Sequence, residues 1–177
     1  MKSKLMLGSG ANTRKDYINL DIVRCEGVDV IHDFNEFPFP FKDNAFKEIL
    51  IPDSIHCVDN LFRFMEEVWR ISKPDATIKL YCVHFLSPIH CQDPYHRTRV
   101  GYNTFDVFTE EHEEERGVSY DTTAQFKIVK RKWVFSKNNK LRWLSFLPNI
   151  FPTFYARFLY FYFPCNSIEF ELRTIKC

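Results

Sequence analysis

Three residues near the amino terminus, Gly8-Ser9-Gly10, and two acids downstream, Asp21 and Asp33, are the types and spacing that could hold a nucleoside. The glycines follow a short apolar run, Leu5-Met6-Leu7, and Asp21 closes the next one, Tyr17-Ile18-Asn19-Leu20. A backbone without Cβ turns sharply and lets a ligand lie against its N–H groups, and an acid at a strand end can accept from both ribose hydroxyls. A plain tight turn between buried strands uses the same residues. No third glycine completes a dinucleotide fingerprint and Asp21 comes early, which disfavours a nicotinamide oxidoreductase.

A second group sits in the long segment after Val83. His84 follows an apolar run directly, and Asp93 and His96 lie further along; each could take a proton from an acceptor. Their plainer roles are a histidine bonded to backbone and an Asp-His pair pinning a loop. His84, His90, Cys91, Asp93 and His96, with Cys82 nearby, are also metal-ligand types, but the spacing matches no standard zinc pattern and no metal is assigned. Seven basic residues and no acid lie between Lys127 and Arg142, and five acids between Glu110 and Glu115. With Trp133 or Trp143 stacking on a base, the basic stretch would suit RNA; as the wet side of a hairpin it needs no ligand, and that reading is preferred.

These residues require a scaffold of strands. Segment 27–33 reads as a third strand ending in Asp33, and Phe46 to Ile51 as a fourth, stopped by Pro52-Asp53. One helical turn over Ala11 to Lys15 is expected to join the first two. Phe37-Pro38-Phe39-Pro40-Phe41 cannot be helix, because its prolines remove donors and force extended neighbours. From Asn60 the period becomes helical, with Leu61, Phe64, Met65, Val68 and Trp69 on one stripe and Asp59 or Asn60 as cap, up to Lys73-Pro74-Asp75. Thr77 to Val83, Phe126 to Ser136 and Ser167 to Ile175 complete seven strands. His84 to Asn103 reads as a functional loop. Leu147 to Phe163 reads as an aromatic helix, broken near Pro152, that covers the sheet; a dimer surface or an apolar acceptor channel are its other uses.

The 177 residues suit one domain, 1–177, and a net charge of +1 excludes a polycation. Six cysteines without a C-x-x-C, and no leader before Leu5, suggest reduced thiols in the cytoplasm. The longest apolar stretch, Phe158 to Phe163, is far short of the roughly 20 residues of a membrane span.

With these segments in order, the chain resembles the class I S-adenosylmethionine-dependent methyltransferases, in particular the small type 11 group. The resemblance runs through LMLGSG, YINLD, VDVIHDF, FPFPFKDNAFKEI, FMEEVWRISKP and TIKLYCVHF, and more loosely DPYHR and IEFELRTIK. It implies an α/β, Rossmann-like three-layer domain whose seven-stranded mixed sheet has an antiparallel last strand and a reduced first crossover helix. It implies S-adenosylmethionine as cofactor, with Gly8, Ser9 and Gly10 against its methionine part and Asp21 on the ribose. Asp33 would accept from the adenine amino group, Phe34 and Ile22 would flank the ring, and Ile51, Pro52 and Asp53 would border the methyl. The acceptor is unidentified, a small molecule being favoured over nucleic acid, and the aromatic helix offers a homodimer surface. Where the family often has a His and then Leu-Glu-His after the fourth strand, this chain has Asp53-Ser54-Ile55-His56-Cys57. That departure keeps open a catalytically silent protein of this fold acting as a binding module.

Overall fold

The computed structural model describes residues 2–110, 120, 122–135 and 142–176. Seven strands form one sheet: β1 (Lys4–Leu7), β2 (Ile18–Asp21), β3 (Val30–Ile31), β4 (Phe46–Pro52), β5 (Ser72–Val83), β6 (Gln125–Val134) and β7 (Ser167–Ile175), in the order β3-β2-β1-β4-β5-β7-β6. The first five are parallel, and β7 inserts antiparallel between β5 and β6. The expected Rossmann-like mixed sheet is therefore present. The chain walks outward from β1 to β3 and then returns to place β4 on the other side of β1. A crevice must open where the connections diverge, above the carboxyl ends of β1 and β4.

Leu5, Leu7, Leu20, Ile49, Ile51 and Leu80 are fully buried and join the strands to one core. Helix α1 (Leu61–Ile71) starts at Asn60, whose side chain accepts from Arg63 N–H at 3.1 Å, and buries Phe64, Met65, Val68 and Ile71 against the sheet. Its outer residues hold the Phe-Pro connector. Glu67 accepts from Phe39 N–H at 2.8 Å, while the Arg70 guanidinium donates to Phe39 O at 3.2 Å and Phe41 O at 3.0 Å. The connector's orphan backbone groups are thus satisfied by one helix face.

Three elements differ from their expected form. Residues 11–15 make turns rather than a helical turn, because the Asn19 side chain accepts from Arg14 N–H at 2.9 Å and donates to Arg14 O at 3.0 Å. Those backbone groups have no need of a helix. Strand β5 begins at Ser72, immediately after α1, and absorbs Lys73-Pro74-Asp75 as a register break between Phe46↔Ser72 and Glu48↔Thr77, with Asp75 at φ 59°. The aromatic stretch is not one helix, and it covers the sheet through Tyr155 and Tyr160, which are buried against Trp133, rather than through its phenylalanines. It comprises a short helix (Phe146–Ile150), a turn (Pro152–Phe154) and a wide turn (Tyr155–Leu159), and most of its phenylalanines face outward.

Candidate cofactor cleft

At the end of β1 the chain turns back under β2: Gly8 N–H and Ser9 N–H both donate to Leu20 O, at 2.9 and 3.2 Å. Gly8 has φ 77°, and a Cβ there would stand 2.2 Å from Ser54 Cβ, so only glycine fits. Gly10, at φ 49°, would direct a Cβ into open space, with nothing within 4 Å. The turn is fixed from the next strand, where Asp21 Oδ2 accepts from Gly10 N–H at 2.7 Å and Oδ1 from Val23 N–H at 2.9 Å. Each oxygen retains a further lone pair.

Asp33 is fixed in the same manner, its Oδ1 accepting from Asn35 N–H at 2.9 Å and from the Asn35 side chain at 3.2 Å. Asn35 in turn accepts from Asp59 N–H at 2.8 Å, tying the loop after β3 to the start of α1. The Phe34 ring packs edge-on to Phe64 at 5.8 Å. From β4, Pro52 leads into Asp53, which sits at φ 57° with its N–H donating to Tyr81 O at 2.8 Å. Ser54 then donates to Leu7 O at 2.8 Å, joining the ends of β4 and β1 across the crevice.

The crevice is a cleft of about 1060 Å³. Gly8, Ser9, Gly10, Asp21 and Ile22 line one end, with Asp33, Phe34, Pro52 and Asp53 around them. Ile51 lies fully buried beneath the cleft and does not line it. Asp93, Tyr95 and Arg97 also line it from the loop after β5, where Arg97 pairs with Asp59. Sequence reasoning did not single out Tyr95, Arg97, Asn35 or Ser54. The DPYHR motif was the available signal for the first two.

The three proposed proton acceptors are not brought together. Asp93 reaches the cleft, accepting from Tyr95 N–H at 2.9 Å and lying 3.6 Å from His96 Nε2. His96 turns away from the cleft into a group of rings, 4.9 Å from His56 and 5.2 Å from His90 between centroids. His56 is fully buried; its Nδ1 donates to Thr98 O at 3.1 Å and its Nε2 accepts from Val83 N–H at 2.8 Å. Both contacts suit the neutral ring, and burial lowers its pKa from 6.5 to about 4. This histidine, in the segment that departs from the family pattern, ties the loop to β5.

His84 is elsewhere again. Its ring lies 4.2 Å from that of Tyr160 and 5.2 Å from that of Trp133, Nδ1 accepts from Leu86 N–H at 3.2 Å, and burial takes its pKa to about 4. It holds the start of the loop against the aromatic segment. Among the described residues, no group of three or more His, Cys, Asp or Glu side chains is arranged to hold a metal. Cys25, Cys57, Cys82, Cys91 and Cys165 are free thiols. Trp133 is fully buried, stacked 5.0 Å from Tyr102, so the suggested base-stacking role for it is corrected: its face is already occupied. The Trp143 side chain and most of the acidic run lie outside the described residues. Arg131 pairs with Asp106, and exposed Lys127 and Lys130 stand on an edge strand, where charge discourages pairing with another sheet.

No family model and no curated protein matches this chain. Solved structures do. An S-adenosylmethionine-dependent methyltransferase from Mesorhizobium loti superposes with a TM-score of 0.57 at 12% identity over 96% of this chain and 89% of that one. This chain has the fold of the S-adenosylmethionine-dependent methyltransferases. One from Archaeoglobus fulgidus gives 0.56 at 16% identity over 96% and 85% of the two chains. The YcgJ protein of Bacillus subtilis gives 0.62 at 12% over 98% and 92%. At these identities the methyltransferase fold is what is shared.

Proposed function

We propose that the chain binds S-adenosylmethionine in the cleft between the ends of β1 and β4 and transfers its methyl group to a small-molecule acceptor. The observation that carries this reading is the Gly10–Asp21 arrangement. Gly10, at φ 49°, lines the cleft in a backbone conformation that favours glycine, and Asp21, oriented by two backbone N–H groups, keeps lone pairs for two ribose hydroxyls. Asp33, immobilised by Asn35, is the partner for the adenine amino group, with Phe34 and Ile22 beside the ring.

Bound there, the cofactor supplies an electrophilic methyl whose carbon–sulfur bond breaks as the bond to the acceptor forms. The protein's part is alignment and exclusion of water. Pro52 and Asp53 border the reacting end, and Tyr95 and Arg97 also line the cleft, with Arg97 paired to Asp59 and close to Asp33. Asp93 takes the proton of an acceptor oxygen or nitrogen, and His96 is a positioning residue that holds its carboxylate. His84, buried against Tyr160, serves the loop and not the acceptor.

Methyl-labelled S-adenosylmethionine incubated with the protein and separated small-molecule, protein and RNA fractions tests the proposal. Label is expected in the small-molecule fraction, and Asp93→Asn should reduce it at least about tenfold while leaving cofactor affinity intact. Label confined to RNA or protein would overturn the acceptor class. No transfer to any fraction despite cofactor binding would favour the silent binding module.

A further inference from the structure

The segment 145–165 is built inside out for an element facing water. The hydroxyls of Tyr155 and Tyr160 point inward: Tyr155 accepts from Cys165 N–H at 2.9 Å and donates to Phe163 O, and Tyr160 donates to Cys165 O at 3.0 Å. Asn149 clasps both backbone groups of Trp133, accepting from its N–H at 2.9 Å and donating to its carbonyl at 2.8 Å. The start of the segment is therefore tied to β6 by Asn149, and its end is closed on itself by the two tyrosines. Its large apolar side chains point out: Phe146 is 68% exposed, Phe151 70%, Phe161 75%, Tyr162 76% and Phe163 65%. Contiguous exposed aromatics on an otherwise well-packed domain mark a surface meant to be covered.

Charge selects what covers it. Within 145–168 the one charged side chain is the exposed Arg157, its guanidinium 5.6 Å from the Phe158 ring, and there is no acid. A second copy packed on this face would bring Arg157 up to an identical cation, with no acid in the segment to pair it. An anionic headgroup layer supplies the missing negative charge, and rings at this density suit the boundary between headgroups and acyl chains. Among the described residues no helix is long and apolar enough to span a bilayer, so the mode is lying on the surface.

We propose that the aromatic face of residues 146–163 docks on the surface of an anionic lipid bilayer, with Phe151, Phe161 and Phe163 entering it and Arg157 meeting the headgroups. The inner side of the same segment packs on His84, the first residue of the loop that walls the cleft. The attachment is therefore one contact away from the start of that loop.

Cosedimentation of the full chain tests this, using vesicles of phosphatidylcholine alone and of phosphatidylcholine mixed with phosphatidylglycerol, at low and high salt. Binding to the mixed vesicles at low salt, weakening with salt, is expected. Phe151→Ser/Phe161→Ser/Phe163→Ser should lose it at least about tenfold with an unchanged circular dichroism spectrum, since these side chains are mostly in solvent. Arg157→Glu should weaken it about fivefold or more. Failure of the unaltered chain to bind either vesicle overturns the proposal, whatever the variants do. So does equal binding by a folded triple variant, or a dimer in sedimentation equilibrium that the triple variant dissolves without any vesicle binding. Calorimetry of cofactor binding reads a different surface and is expected to be the same in all three proteins.

Discussion

Gly10 N–H and Asp21 Oδ2 stand 2.7 Å apart, so the turn that shapes the cleft and the acid proposed to hold the ribose are one unit. Removing the carboxylate disturbs both. Asp21→Ala should raise the dissociation constant for S-adenosylhomocysteine roughly 10- to 100-fold, the worth of one or two hydrogen bonds to a charged group. Calorimetry measures the affinity, and an unchanged value would detach Asp21 from the ligand.

The two glycines of the turn should separate stability from binding. Gly8→Ala places a Cβ 2.2 Å from Ser54 Cβ at φ 77° and should cost more than about 2 kcal/mol in denaturant unfolding. Gly10→Ala meets no neighbour within 4 Å, so its cost should stay near the roughly 1 kcal/mol of a left-handed alanine, while cofactor affinity is expected to fall because position 10 lines the cleft. Equal destabilisation by both would contradict this account of the turn.

Two buried histidines set a pH dependence. His56 and His84 each have a pKa lowered by burial from 6.5 to about 4, and His90 and His96 face His56 with Asp53 also near it. Below pH 6.5 the unfolded chain takes up protons that the folded chain refuses. The stabilising contribution is complete above pH 6.5 and is lost as pH falls towards 4, by up to about 3 kcal/mol for each group. Urea unfolding at stepped pH should show that slope, and His56→Gln should show a shallower one from a lower starting stability.

Arg70 reaches the connector, Glu67 and Asp43 together, and is only about a quarter exposed. Arg70→Ala should destabilise by about 2–3 kcal/mol, because it strands Glu67 and two connector carbonyls. Asp43→Ala removes only the exposed arm of the network and should cost less than about 1 kcal/mol. Denaturant midpoints for the two variants give the comparison.

Periodicity made most of the fold legible. The helical stripe of Leu61, Phe64, Met65, Val68 and Trp69, and strands ending in Asp21 and at Ile51 before Pro52, follow from residue spacing alone, and together with the glycine turn they brought nine of the ten proposed cofactor residues to one cleft. What periodicity missed was decided by side chains acting at a distance. Asn19 replaced the first crossover helix, and His56 satisfied Val83 N–H from another element. For His84, following a strand directly says nothing about which way the side chain turns, and here it packs against Trp133 and Tyr160 and does not line the cleft. The aromatic stretch has helical spacing and still lies open, since spacing reports a face and not what the face meets.

Calorimetric titration of the unmodified protein with S-adenosylhomocysteine, with NAD as control, tests the central claim most directly. One binding site per chain for S-adenosylhomocysteine and no heat with NAD is the predicted result. No binding of S-adenosylhomocysteine under conditions where the protein is folded would contradict it.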